Sequence, residues 1–349
     1  MYLDNAATTS IHPYVRERMN NIPFANYNAK YYDEALRTHM IIDSCFDSIS
    51  KLLKIDKKSI VFTSGASESN NYIIKGIYLK SPDAHYITSD REHSSVLSTF
   101  KFLKALGANV TIISSANDVI SFDDIKPYIK ENTKLVSIMA VNNETGIINN
   151  YKNISAELRK RNILFHSDVT QALGKIKLDF DWFDYFSMSA HKINGPKGIG
   201  IAGILGSEIP EPLIHGSSQQ NSNRSGTLPN DLIVGLTTSV ELCIENFEDN
   251  MKTLANNKKI VMEYFRKNLG EDFELNFNSN TVDNIISLRL KGEVGPIFLH
   301  ENKEILSAST GSSCSVGNPS YVLKSHGFDN ARIIETIRLS TSLYEEVKF

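Results

Sequence analysis

Lys192 stands in SMSAHKINGPKGIG (187–200), after an apolar run and before a glycine-studded turn. A lysine in partly desolvated surroundings loses proton affinity and becomes a nucleophilic amine, able to form a Schiff base with an aldehyde cofactor. Taken alone, a surface lysine beside a turn is the better reading. It gains weight because other residues of matching chemistry also come after apolar runs. Asp168 in FHSDVTQALGK could pair with a pyridinium nitrogen and keep the ring an electron sink, although by itself a helix N-cap is the better reading. SGASESN (64–70) places a glycine turn before a helix whose first N–H groups are unpaired, a natural phosphate cradle. His93 in REHSSV takes its weight from its company, since a lone histidine is more often structural. Asn143 in VNNETG (141–146) could donate to a cofactor ring or to a substrate carboxylate.

What must position these residues is an alternation of short β-branched or aromatic runs with amphipathic stretches. The expected strands are SIVFT (59–63), HYIT (85–88), NVTII (109–113), LVSIM (135–139), ILFHS (163–167), DYFSM (184–188) and IGIAGIL (199–205). Such alternation implies an α/β fold around a largely parallel sheet, with ligands beyond the carboxyl ends of the strands. After about residue 245 a long polar helix leads to two strand-like runs, NIISLRL and EILSAS, then to the Gly/Ser-rich stretch TGSSCSVGNPS. This reads as a smaller α+β domain.

Bulk properties exclude several classes. The chain has 349 residues, 41% hydrophobic and 22% charged, with 37 basic against 40 acidic side chains. A net charge of -3 leaves no basic footprint for nucleic acid and no polybasic membrane anchor. No apolar run is long enough to span a bilayer, and MYLDNAATTS lacks a signal-peptide core, so the cytoplasm is the expected compartment. Three scattered cysteines, Cys45, Cys243 and Cys314, argue against a disulfide framework or a zinc cluster, and no metal is expected. Cys45 and Cys243 lie in helical apolar patterns and read as buried thiols. Cys314 lies among residues that favour an exposed loop.

Taken together the motifs resemble those of the NifS/IscS-type cysteine desulfurases, pyridoxal-phosphate enzymes of the class V aminotransferase group. YLDNAATT (2–9), FTSGASESNN (62–71), EH (92–93), VNNETG, FHSDVTQALGK, SMSAHKINGPKGIG, RSGTLP (224–229) and GSSCS (311–315) occur in the family's order, across nearly the whole chain. The resemblance implies the type I fold of pyridoxal-phosphate enzymes: a large cofactor domain at 14–245, and a small domain from 1–13 with 246–349 that carries a catalytic-cysteine loop at about 309–320. Lys192 then matches the Schiff-base lysine, Asp168 the partner of the ring nitrogen and Gln171 the partner of the phenolic oxygen. His93 matches the imidazole stacked on the ring, also a proposed proton carrier. Ala66 and Ser67 match the phosphate turn, where serine replaces the usual threonine and keeps its hydroxyl, and Ser189 and His191 should join them. Thr227 matches a residue that reaches the phosphate across a homodimer interface. Asn143 and Arg338, the latter in TIRLS, match the residues holding the substrate carboxylate; Arg338 alone would read as an ordinary surface residue.

Cys314 matches the family's sulfur acceptor. The implied reaction takes L-cysteine to alanine: Lys192 takes the Cα proton, and the Cys314 thiolate attacks the substrate sulfur and becomes a persulfide for a further acceptor protein. The alternatives are another class V enzyme, a selenocysteine lyase or an aminotransferase, and a catalytically weak cofactor-binding interaction protein. The acceptor thiol disfavours the aminotransferase. The chain also departs from the family pattern. It ends at Phe349, where related enzymes continue, so docking of an iron–sulfur scaffold through that region is not expected. Ser342 replaces a glycine, ANYNAKYYDEA replaces an NPSS-type segment, and HGSSQQNSNRSGT has lost two glycines and should be less permissive.

Overall fold

A computed structural model describes residues 1–311 and 319–349; Cys314 lies outside the described residues. Its large sheet comprises β1 (Ile60–Thr63), β2 (His85–Ser89), β3 (Asn109–Ile113), β4 (Thr133–Ser137), β5 (Leu164–Asp168), β6 (Tyr185–Ser189) and β7 (Gly200–Ile204), in the order β1-β7-β6-β5-β4-β2-β3. Neighbours pair in parallel except at β7, which runs antiparallel to both β1 and β6. The seven expected strands are therefore all present, with ends shifted by at most two residues. β1, β5, β6 and β7 are largely buried runs, because helices cover both faces and neither face needs polar alternation. On one face Tyr72, Ile73 and Ile77 of helix Ala66–Lys80 join Val96, Phe100 and Leu103 of helix Ser94–Ala105. On the other, Ile42 and Ile49 of helix Asp33–Leu53 pack with Ile233, Leu236 and Val240 of helix Asn230–Glu245.

Helix Phe247–Leu269 leads to a second sheet of β8 (Phe273–Leu275), β9 (Ile285–Leu290) and β10 (Thr336–Ser340), ordered β10-β9-β8 and antiparallel. NIISLRL is β9, as expected. EILSAS is not a regular strand: it makes only single bridges, Ser307 to Tyr2 and Ser309 to Arg338. The amino-terminal segment is stitched to the same layer, because Asp4 bridges Ser340 and Leu3 is buried with Phe265, Leu288 and Leu339.

The segment before RSGT adapts without its glycines at a conformational cost. Gln220, Asn221 and Ser222 all adopt left-handed φ, at 49°, 56° and 65°. Gln220 offsets this by acting as a partner for the edge strand. Its Oε1 accepts from Phe62 N at 2.6 Å and its Nε2 donates to Phe62 O at 2.9 Å. Cys45 and Cys243 are buried, as their helical patterns implied.

Candidate active site

The parallel strands end at one edge of the large sheet, and the segments that continue from these strands line a cavity of about 400 Å³. β1 delivers Gly65, Ala66 and Ser67; β2 delivers His93; β4 leads to Met139 and Asn143; β5 ends at Asp168 before Gln171; β6 ends at Ser189 before His191 and Lys192. Arg338 reaches the same cavity from β10. This is the crevice at which open α/β sheets gather ligands.

The turn after β1 is an anion cradle. Gly65 has φ +149°, a conformation L side chains rarely adopt, and a Cβ there would sit 3.2 Å from Ser189 Oγ. It caps the 15-residue helix Ala66–Lys80, whose first N–H groups lack intrahelical partners. The hydroxyls of Ser67 and Ser189, together with His191, line the cavity beside this helix end. His191 is held by Thr8 Oγ1 at 3.1 Å, and burial, reinforced by Lys192, pushes its pKa down to about 4, so it acts as a neutral imidazole.

Lys192 closes a 3₁₀ turn at the end of β6, and its amine donates to Ala6 O at 2.6 Å and Ala7 O at 2.5 Å. The YLDNAATT segment thus folds over the lysine turn, fixed by Thr9 N on His191 O and Thr9 Oγ1 accepting from Asn194 N. Lys175, buried behind it, donates to Lys192 O at 3.1 Å, and burial beside Lys192 pushes its pKa down to about 7.

Asp168 is 5% exposed and accepts from Asn70 Nδ2 at 2.8 Å and Thr170 N at 3.0 Å. The same Asn70 amide donates to Ser95 Oγ, which in turn lies 2.8 Å from His93 Nδ1. Ser95 N also donates to that nitrogen at 3.2 Å. With Nδ1 accepting, the ring hydrogen belongs on Nε2. Burial lowers the His93 pKa against an opposing pull from Asp168, which favours the neutral ring.

Arg338 is no surface residue. It is 1% exposed, with one guanidinium nitrogen on Asp4 Oδ1 at 2.8 Å and another on Asn143 O at 2.9 Å. Asn143 therefore meets it through the backbone. Gln171 lines the cavity, donates to Ala6 O, and keeps a buried Oε1 with no partner among the described residues. Thr227 is exposed and does not line the cavity. Sequence reasoning did not find Asn70, Asp4, Glu144 or Tyr321. Asn70 had a readable signal, since it sits one turn into the helix that opens at the cradle. The Asp4–Arg338 pair spans 334 residues and had none.

The donor set fits pyridoxal phosphate: an anion cradle, an amine, a carboxylate at a strand end, a neutral ring beside it and a buried unsatisfied Gln171 oxygen. Comparison with known proteins agrees. The model for the aminotransferase class-V family matches residues 1–348, and the chain belongs to that family. Within it, cysteine desulfurase IscS of Buchnera aphidicola subsp. Acyrthosiphon pisum (strain APS) is 36% identical over 364 residues, covering 100% of this chain and 89% of that one. A solved NifS-like protein superposes with a TM-score of 0.89 at 29% identity, covering 99% of this chain and 94% of its own. SspA, solved in complex with cysteine, gives 0.86 at 33% identity over 99% of both chains. These likenesses place the chain among the NifS/IscS-type members. Among the described residues, no helix is long and apolar enough to cross a membrane.

Proposed function

We propose that this chain is a pyridoxal-phosphate-dependent cysteine desulfurase, which converts L-cysteine to L-alanine and leaves the sulfur as a persulfide on Cys314. The observation that carries the reading is the convergence of Lys192, Asp168, His93 and Arg338 on one cavity beside the helix Ala66–Lys80. Lys192 would hold the cofactor's aldehyde carbon, Asp168 its ring nitrogen and Gln171 its phenolic oxygen. Ala66, Ser67, Ser189 and His191 would hold its phosphate, and Thr227 the phosphate of a partner subunit in a homodimer. When bound, the cofactor supplies a sink for the electron pair released as the Cα–H bond breaks.

The chain's own residues do the rest. Arg338 and Asn143 hold the substrate carboxylate, a task suited to a planar guanidinium. The amine of Lys192, displaced by the substrate's own amine, takes the Cα proton. His93, a neutral imidazole with its hydrogen on Nε2, can move a proton at the ring face. The Cys314 thiolate attacks the substrate sulfur, and a sulfur–sulfur bond forms as the Cβ–S bond breaks. The bond's electron pair stays with the carbon skeleton, which leaves as alanine after protonation.

In the same reading, residues 14–245 form the cofactor domain, and 1–13 with 246–349 form the small one. The enzyme works in the cytoplasm and passes sulfur to a protein acceptor. The test is alanine formation from L-cysteine by the purified, cofactor-loaded chain. Stoichiometric or catalytic alanine supports the reading, and a loaded protein that makes none contradicts it.

A further inference from the structure

One carboxylate outside the roles assigned so far is hydrogen-bonded to Ser320 and packs close to Gly311, the two residues standing on either side of the segment that carries Cys314. Glu144 comes directly after Asn143 in VNNETG and is 2% exposed. Its Oε2 accepts from Ser320 Oγ at 2.5 Å and lies 3.0 Å from the position of a Cβ built on Gly311. Ser320 Cβ is itself 3.8 Å from that position, so the two ends abut. Gly311 has φ +105°, and its lack of a side chain is what lets the carboxylate approach.

Each end has its own tie to the cavity. Upstream, Ser309 pairs with the backbone of Arg338, with Arg338 N on Ser309 O at 2.6 Å and Ser309 N on Arg338 O at 3.2 Å. Downstream, Tyr321 OH donates to Glu92 O at 2.6 Å, Ser325 Oγ to Asp90 Oδ1 at 2.6 Å, and Arg91 Nε to Ser325 Oγ at 3.1 Å. These partners flank His93.

We propose that Glu144 is a positioning residue for sulfur transfer: through its hydrogen bond it holds Ser320 beside Gly311 and so steadies the two points from which Cys314 is tethered. The proposal rests on the desulfurase reading above. The physical reason is chain length. Cys314 is three positions along the chain from Gly311, which bounds its reach at about 11 Å whatever path the chain takes. A tether that short delivers the thiol only if its origin is held beside the cavity. The Ser309–Arg338 pairing holds the upstream end there, Glu144 holds the downstream end beside it through Ser320, and Asn143, the residue adjacent to Glu144, lines the cavity.

The test uses two readouts on the cofactor-loaded protein: the change in cofactor absorption as L-cysteine binds, and the time course of sulfur gain on Cys314 by mass spectrometry. In Glu144→Ala, cysteine binding should be unchanged, because Glu144 does not line the cavity. Persulfide formation should slow by about ten- to a hundredfold, as expected when a reacting group is displaced by about an ångström. Glu144→Gln retains an oxygen for Ser320 and should stay near the wild-type rate. Gly311→Ala, which forces the same contact apart from the other side, should reproduce the Ala phenotype and stands in if Glu144→Ala fails to fold. A wild-type rate in both Glu144→Ala and Gly311→Ala overturns the proposal, as does a parallel loss of cysteine binding and transfer. Wild-type protein that binds cysteine yet gains no sulfur overturns the desulfurase reading itself.

Discussion

Replacing Arg338 with lysine separates its role in holding the substrate carboxylate from any role in the fold. The side chain is buried, spans Asp4 Oδ1 and Asn143 O, and faces the cavity. Lysine keeps the positive charge, and its ammonium can stay on the half-buried Asp4, so that carboxylate is not abandoned. What is lost is the planar fork that serves several acceptors at once. A hydrogen bond to a charged group contributes about 1.5–3 kcal/mol, so losing one contact to the substrate carboxylate weakens L-cysteine binding by about 10- to 150-fold. The contact is present in ground and transition states alike, so KM should rise with kcat little changed.

Titrating the cofactor's absorption with L-cysteine and with cysteamine, which lacks the carboxylate, gives the decisive comparison. Arg338→Lys should bind cysteine more weakly and cysteamine unchanged, with an unaltered urea midpoint. Equal weakening of both ligands would refute the reasoning, because it would place the effect on the cofactor or the fold.

Lys192→Ala should lose the Schiff-base absorption at about 400 nm expected of this cofactor while the protein stays folded; spectra of the purified variant check it. Glu92 is buried, and burial pushes its pKa from 4.5 up to about 8 despite donors from Ser89 Oγ and Met139 N. Its proton is held more tightly in the folded state, so its contribution to stability is present below pH 4.5 and lost as pH rises to 8. Glu92→Gln should therefore flatten the fall in urea midpoint between those values, and an unchanged slope would count against the burial argument. Gln220→Ala removes both side-chain bonds to Phe62 and should cost about 1–3 kcal/mol of stability by denaturant titration.

The sequence carried the large sheet well because its strands are short β-branched or aromatic runs, such as the fully buried IVFT, separated by helices of clear period. It carried Ser67, His93, Asn143, Asp168 and Lys192 because each stands at or just beyond the end of such a run. The second sheet was less legible: β8 has three residues and β10 hides in TIRLS, while EILSAS looks like a strand yet finds partners only at Ser307 and Ser309. Arg338 read as surface because its burial depends on Asp4, whose place comes from the amino terminus folding back onto β10. The role of YLDNAATT was equally hidden, since backbone carbonyls of Ala6 and Ala7 hold the Lys192 amine and carry no side-chain signature. Asn70, joining Asp168 to Ser95 and hence to His93, shows the same limit: an amide on a helix declares its partners only once the strands are placed.

Mass spectrometry of the cofactor-loaded protein after incubation with L-cysteine, beside the Cys314→Ser variant and with alanine quantified in both, tests the central claim most directly. The account predicts one added sulfur on Cys314 with matching alanine in the wild type, and loss of the persulfide and of alanine formation in the variant. Alanine produced at the wild-type rate by Cys314→Ser, or a loaded wild-type protein yielding neither product, would contradict it.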